Sequence, residues 1–146
     1  MDLRLMAGFE DVHLSWRGET FTVPASGQMR LIAKVEDALS GDSGKQALSI
    51  LFRREGPPYT ALASAYAAAL RHAGAKVTDD EVYLSIMEDL ATKSRADALM
   101  VIQAAIVAIL SIISPPAARL LRGGGDDAED EKKTVTAPEL SEASTT

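Results

Sequence analysis

Four places in this 146-residue chain carry side chains that could do chemistry. Gly44-Lys45 resembles the end of a phosphate-binding loop, in which backbone N–H groups cradle phosphate and the lysine neutralises it. That motif needs a glycine five residues before Gly44, a hydroxyl residue after the lysine and a preceding strand. Leu39 and Gln46 stand there instead, so Gly44 reads as a helix-start residue. His13 and His72 are the two imidazoles. A metal or a nucleophilic triad would need carboxylates paired with them, and neither histidine has such a pair nearby in sequence. Structural roles suit both better, His72 at a helix C-terminus where an imidazolium meets the negative end of the dipole. Asp79-Asp80-Glu81 has the charge for a cation, but Thr78 before it makes the group a helix capping box. Trp16 reads as hairpin packing rather than an exposed binding residue. No catalytic constellation emerges, and no enzyme, cofactor or metal is expected.

The elements that would position these residues follow from periodicity. Val12–Trp16 alternates as a half-buried strand does. Arg17-Gly18-Glu19 is turn-like, and Thr20–Val23 alternates again, so a β-hairpin closed by Pro24 is predicted. Ser26 or Gly27 then opens a helix with Met29, Ile32, Val35 and Leu39 inward. Ser40-Gly41-Asp42 breaks it. A short helix follows, with Ala47, Leu48, Leu51 and Phe52 on one face. After Gly56-Pro57-Pro58 comes a helix over Tyr59–His72, striped by Tyr59, Leu62, Ala63, Tyr66 and Leu70 and ended by Gly74. Thr78 caps the next, running to about Ala91 and burying Val82, Tyr83, Ile86, Met87 and Leu90. Ser94-Arg95-Ala96-Asp97 offers a second cap.

The last helix, Ala98–Ile113, is almost purely apolar and is stopped by Pro115-Pro116. Leu99, Ile102, Ile106, Ile109 and Ile113 form a seam at alternating spacings of three and four. The opposite face is no more polar, with Val101, Ala105, Val107, Ala108 and Ile112. A helix apolar all round is central in a domain or spans a membrane. From Ala98 to Ser114 it reaches roughly 25 Å at 1.5 Å per residue. That is short of a hydrocarbon core of about 30 Å, and no Trp or Tyr belt flanks it, so a membrane span is disfavoured. Central core helix and partner-binding surface stay open together. An uncovered apolar strip here would mark a protein interaction site.

Charge divides the chain. Residues 123–146 hold Asp126, Asp127, Glu129, Asp130, Glu131, Glu139 and Glu142 against Lys132 and Lys133, a net of −5 out of −6. The expected organisation is a folded domain over 1–122 and a disordered acidic tail over 123–146. The domain should be mostly α, an N-terminal hairpin followed by a compact bundle of about five helices. It is near neutral, so no basic face points to nucleic acid. With no cysteine there is no disulfide framework. Met1-Asp2-Leu3-Arg4 does not read as a secretory signal, so secretion is not expected.

The run Tyr66-Ala67-Ala68-Ala69-Leu70-Arg71-His72-Ala73-Gly74-Ala75-Lys76-Val77-Thr78-Asp79-Asp80-Glu81-Val82 resembles the tail assembly chaperones of long-tailed bacteriophages and gene transfer agents. In that family a small-residue helix ends in a Leu-Arg-His-like element, then Gly, a Lys-Val/Leu-Thr step and an acidic helix start. The plan of a hairpin, a helix and this helix pair over Val12–Leu90 is similar too. The resemblance implies a non-enzymatic protein of the host cytoplasm that binds the tape measure protein and brings tail tube protein to it. Members are usually absent from the finished particle, and many have a longer frameshifted form. On that reading Leu99, Ile102, Ile106, Ile109 and Ile113, with Met87 and Met100, are the candidate partner-binding residues, for a client helix or a second copy of the chain. One departure is that Ala98–Ile113 is more apolar than the family leads one to expect. It keeps two alternatives in view, a small holin-like membrane-active protein and a structural adaptor retained in the particle.

Overall fold

The computed structural model describes residues 10–25 and 28–123. The expected helix opening at Ser26 or Gly27 and the expected disordered tail beyond Gly123 lie outside them. Two strands, β1 (Val12–Trp16) and β2 (Glu19–Val23), pair antiparallel in register from Val12 opposite Val23 to Trp16 opposite Glu19. This register leaves a two-residue turn, Arg17-Gly18, and both residues take positive φ, +50° and +81°. Such turns match the twist of the paired strands. Gly18 adopts that φ without strain. Arg17 lays its guanidinium over the Trp16 ring, 4.8 Å from the centroid. Val12, Leu14 and Val23 point into the core.

Helix α1 (Met29–Ser40) buries Leu31, Val35 and Leu39, with Ile32 alongside. Met29 was expected on that face but is exposed, because two residues before Leu31 puts it on the opposite side of the helix. Gly44, expected at a helix start, sits instead in the turn before α2 with φ +74°. Helix α2 (Ala47–Leu51) is one turn long. Its inward face is Ala47, Ile50 and Leu51, which leaves Leu48 and Phe52 outward, contrary to expectation.

Helix α3 (Tyr59–His72) is the centre of the domain. It buries Leu62, Ala63, Ala65, Ala67, Ala68, Ala69 and Leu70 and packs against α1, α4, α5 and β2. Alanines around its circumference let several neighbours approach closely, since interaxial distance follows side-chain size. The apolar last helix was a candidate for this position, but the alanine helix holds it. Its C-terminus closes in a Schellman arrangement: the Ala75 N–H donates to the Leu70 carbonyl at 2.9 Å and Gly74 N–H to that of Arg71 at 3.1 Å. Gly74, at φ +106°, takes the left-handed position that arrangement requires.

Helix α4 (Asp79–Thr92) begins with the anticipated capping box. Glu81 N–H donates to the Thr78 hydroxyl at 3.1 Å, and Thr78 N–H to Glu81 Oε1 at 2.9 Å. Thr78→Ala is therefore expected to lower stability by about 1 kcal/mol in a urea titration, because it frees a helix donor. Arg71 secures the same corner. Its Nη1 donates to the Val77 carbonyl at 3.0 Å and lies 3.0 Å from Asp79 Oδ1. The contact with Oδ1 is an ion pair rather than an aligned hydrogen bond. Asp79 Oδ2 accepts from Ser64 on α3 at 2.9 Å. Of the α4 residues expected inside, Val82 is fully buried, while Tyr83, Ile86 and Met87 are half-buried. Leu90 is 36% exposed and lies beyond Val82, Tyr83 and Ile86, the α4 residues that pack on the core.

Helix α5 (Arg95–Ile113) starts where the Ser94 hydroxyl accepts from Asp97 N–H at 3.1 Å. It ends at Ser114, whose φ of −151° leaves the helical region. Pro115 does more than stop it, since it opens α6 (Pro115–Gly123). Proline suits that first helical position, where its missing N–H is not needed. Every element from β1 to α6 contributes to one hydrophobic cluster, α6 through Ala118.

Candidate functional site

The two ends of α5 have different surroundings. Towards its C-terminus Ile109, Leu110 and Ile112 are fully buried. Towards its N-terminus only Ala98 and Ile102 reach the core, while Leu99 is 48% and Met100 70% exposed, with Val101 beside them. Of the helix's most apolar window only 28% is buried, at a mean hydropathy of 2.3. A helix central to a soluble core buries far more of itself. Because it starts at Arg95 rather than Ala98, the helix has 19 residues. It is long and apolar enough to cross a membrane by length and composition, so the expectation that it is too short does not hold. Here it packs against α1, α3, α4, α6 and β1.

Leu99, Met100, Ile102 and Ile106 of α5 form one wall of an open cleft of about 620 Å³. Phe52 and Tyr59, from the two ends of the connection between α2 and α3, and Leu121 of α6 also line it. Phe52 and Leu121 are each 49% exposed. Its polar lining is Arg53, Arg54, Glu55 and Gln103, with Arg53 Nη2 lying 3.8 Å from Glu55 Oε1. The cleft thus pairs apolar walls with a small charged rim, as helix-binding grooves do.

The expected partner-binding residues divide around this cleft. Leu99, Ile102, Ile106 and Met100 line it. Ile109 is in the core, Ile113 is half-buried, and Met87 is half-buried on α4; none of these three is among the lining residues. Phe52, Tyr59 and Leu121 were not anticipated. The i, i+4 spacing of Leu48 and Phe52 is visible in the sequence, where it reads as one face with Ala47 and Leu51.

On the other flank of α5, a groove of about 350 Å³ lies between β1, α4 and α5, walled by Trp16, Tyr66, Ile86 and Ala105. Tyr66 fixes the hairpin there. Its hydroxyl accepts from Ser15 N–H at 3.1 Å and donates to the Ser15 carbonyl at 2.9 Å. Burial pushes the Tyr66 phenol above its ordinary pKa, and the hydrogen bond to Ser15 pulls the other way. A raised folded pKa means the neutral phenol is the stabilising form. Its contribution is whole below the unfolded tyrosine value of about 10 and is lost as pH rises through the higher folded value. Tyr66→Phe is expected to cost about 1 kcal/mol and to remove that share of the alkaline loss of stability. Thermal melts at neutral and alkaline pH would check both.

A third recess, about 390 Å³, is lined by Glu10, Asp11, His13, Ser111 and Arg119 among others. His13 Nδ1 lies 2.9 Å from Thr22 Oγ1 across the hairpin. Asp11 accepts from Ala25 N–H at 2.8 Å, a structural tie. His72 is exposed as the last residue of α3. Among the described residues no three of His, Cys, Asp and Glu converge as a metal site would need. No family model, curated protein or solved structure matches the chain.

Proposed function

We propose that the chain is a non-catalytic tail assembly chaperone that holds an apolar helical segment of the tape measure protein and assists assembly of the tail tube. The observation that carries this reading is the exposed N-terminal half of α5, with Leu99 and Met100 opening onto the cleft. Apolar area of that kind on a soluble domain marks a surface that meets another protein. Methionine, unbranched and polarizable, lets it accept helices of differing sequence. The choice of client comes from the resemblance of Tyr66–Val82 to tail assembly chaperones. Much of that run works as a corner, with Arg71, Gly74, Thr78, Asp79 and Glu81 joining α3 to α4. It supports a shared architecture, and the client surface lies elsewhere, on α5.

A second reading has one observation in its favour. The length and hydropathy of α5 suit a bilayer, as in a holin-like protein. Against it, Ile109, Leu110 and Ile112 would have to leave a finished core. Cell fractionation separates the two. A chaperone of the host cytoplasm is recovered without detergent and is missing from mass spectra of finished particles. Recovery only with membranes would end the chaperone reading.

A further inference from the structure

The lining of the cleft on α5 is locally basic. Arg53 and Arg54 line it against a single acid, Glu55, in a domain that is otherwise near neutral, since residues 123–146 carry −5 of the formal net charge of −6. We infer that the cleft takes an amphipathic client helix whose apolar stripe is flanked by carboxylates, with Arg53 and Arg54 reading those carboxylates. This rests on the chaperone reading and specifies which kind of client segment it selects.

The geometry fits such a helix. Leu99, Ile102, Gln103 and Ile106 lie at spacings of three and four on one side of α5. At 1.5 Å per residue they extend over about 10 Å, two turns of a docked helix. Phe52 and Tyr59 line the same cleft, large rigid surfaces suited to apolar anchors at i, i+3 or i+4 and i+7. A helix seated there places its flanking residues against the rim. Arginine engages a carboxylate through two parallel N–H donors, so it favours acidic flanks over neutral ones and disfavours basic ones. The Arg53–Glu55 contact of 3.8 Å is long and solvent-exposed, so a better-placed carboxylate can replace it.

The test uses the full chain and two synthetic helical peptides with the same leucine stripe, one flanked by Glu and one by Lys. Fluorescence anisotropy is expected to show the Glu-flanked peptide binding at least tenfold tighter at low salt, although the chain's own acids at 126–142 work against it. The double variant Arg53→Glu, Arg54→Glu is expected to reverse that preference with an unchanged circular dichroism spectrum. Equal binding of the two peptides by the wild type, or a preference that survives the double variant, overturns the inference. If both peptides bind alike and both are lost on Leu99→Asp with Met100→Asp, the apolar client surface stands and only the charge selection fails. If neither peptide binds, the inference fails outright, and co-purification of the tape measure protein decides the chaperone reading separately.

Discussion

Ile109→Asp is expected to leave no cooperatively folded protein. Ile109 is fully buried in the C-terminal half of α5, among Leu110, Ile112 and the alanines of α3. A carboxylate there loses its hydration and gains no partner, at a cost of several kcal/mol. Domains of this kind are stable by about 5–15 kcal/mol in total, so one such change removes much or all of the margin. Ile109→Val, which only trims a methyl group, should cost about 0.5–1.5 kcal/mol and keep the fold. Far-UV circular dichroism and a thermal melt read both. If Ile109→Asp melts like the wild type, α5 is not a core helix and its C-terminal half must lie elsewhere, in a bilayer or against a partner.

Ten residues earlier on the same helix the expectation reverses. Leu99→Asp combined with Met100→Asp should leave the melting transition within about 1 kcal/mol of wild type, as surface changes do. It should nevertheless abolish client binding. Each side chain of this size is worth about 1.5–3 kcal/mol when a partner buries it. Losing two weakens the complex by two orders of magnitude or more, at about 1.4 kcal/mol per factor of ten. Ile102 lies between these cases. It is buried and yet lines the cleft, so Ile102→Asp should both destabilise the domain and lose the client.

Much of the architecture was legible because local rules decided it. The hairpin, the Tyr59–His72 helix and the Thr78 capping box each rest on a short-range signal that nothing distant overrides. Orientation was harder wherever a helix is apolar on adjacent stripes. In α2 the stripe of Ala47, Ile50 and Leu51 and the stripe of Leu48 and Phe52 are both apolar, and only the packing of α2 against α1 chooses between them. The identity of the central helix was hidden for a related reason. Hydropathy ranks α5 above α3, but the centre of a small domain needs residues small enough for several neighbours to close in, and the alanines of α3 supply that. For the site, Leu99, Met100, Ile102 and Ile106 could be picked from the run of apolar residues. Phe52, Tyr59 and Leu121 could not, because they meet α5 only through the tertiary fold. Ile109 and Ile113 belonged to the same seam by spacing, yet α5 turns its C-terminal half into the core.

On the proposed reading the exposed half of α5 holds the tape measure protein in solution. Its most direct test is co-expression of the tagged full chain with that protein, followed by affinity purification without detergent. The wild type is expected to bring the tape measure protein with it in soluble form, and the Leu99→Asp, Met100→Asp variant, equally well folded by circular dichroism, is expected to come through alone. Recovery of the client with the variant at wild-type yield would contradict the account, as would a folded, soluble wild type that captures no client at all.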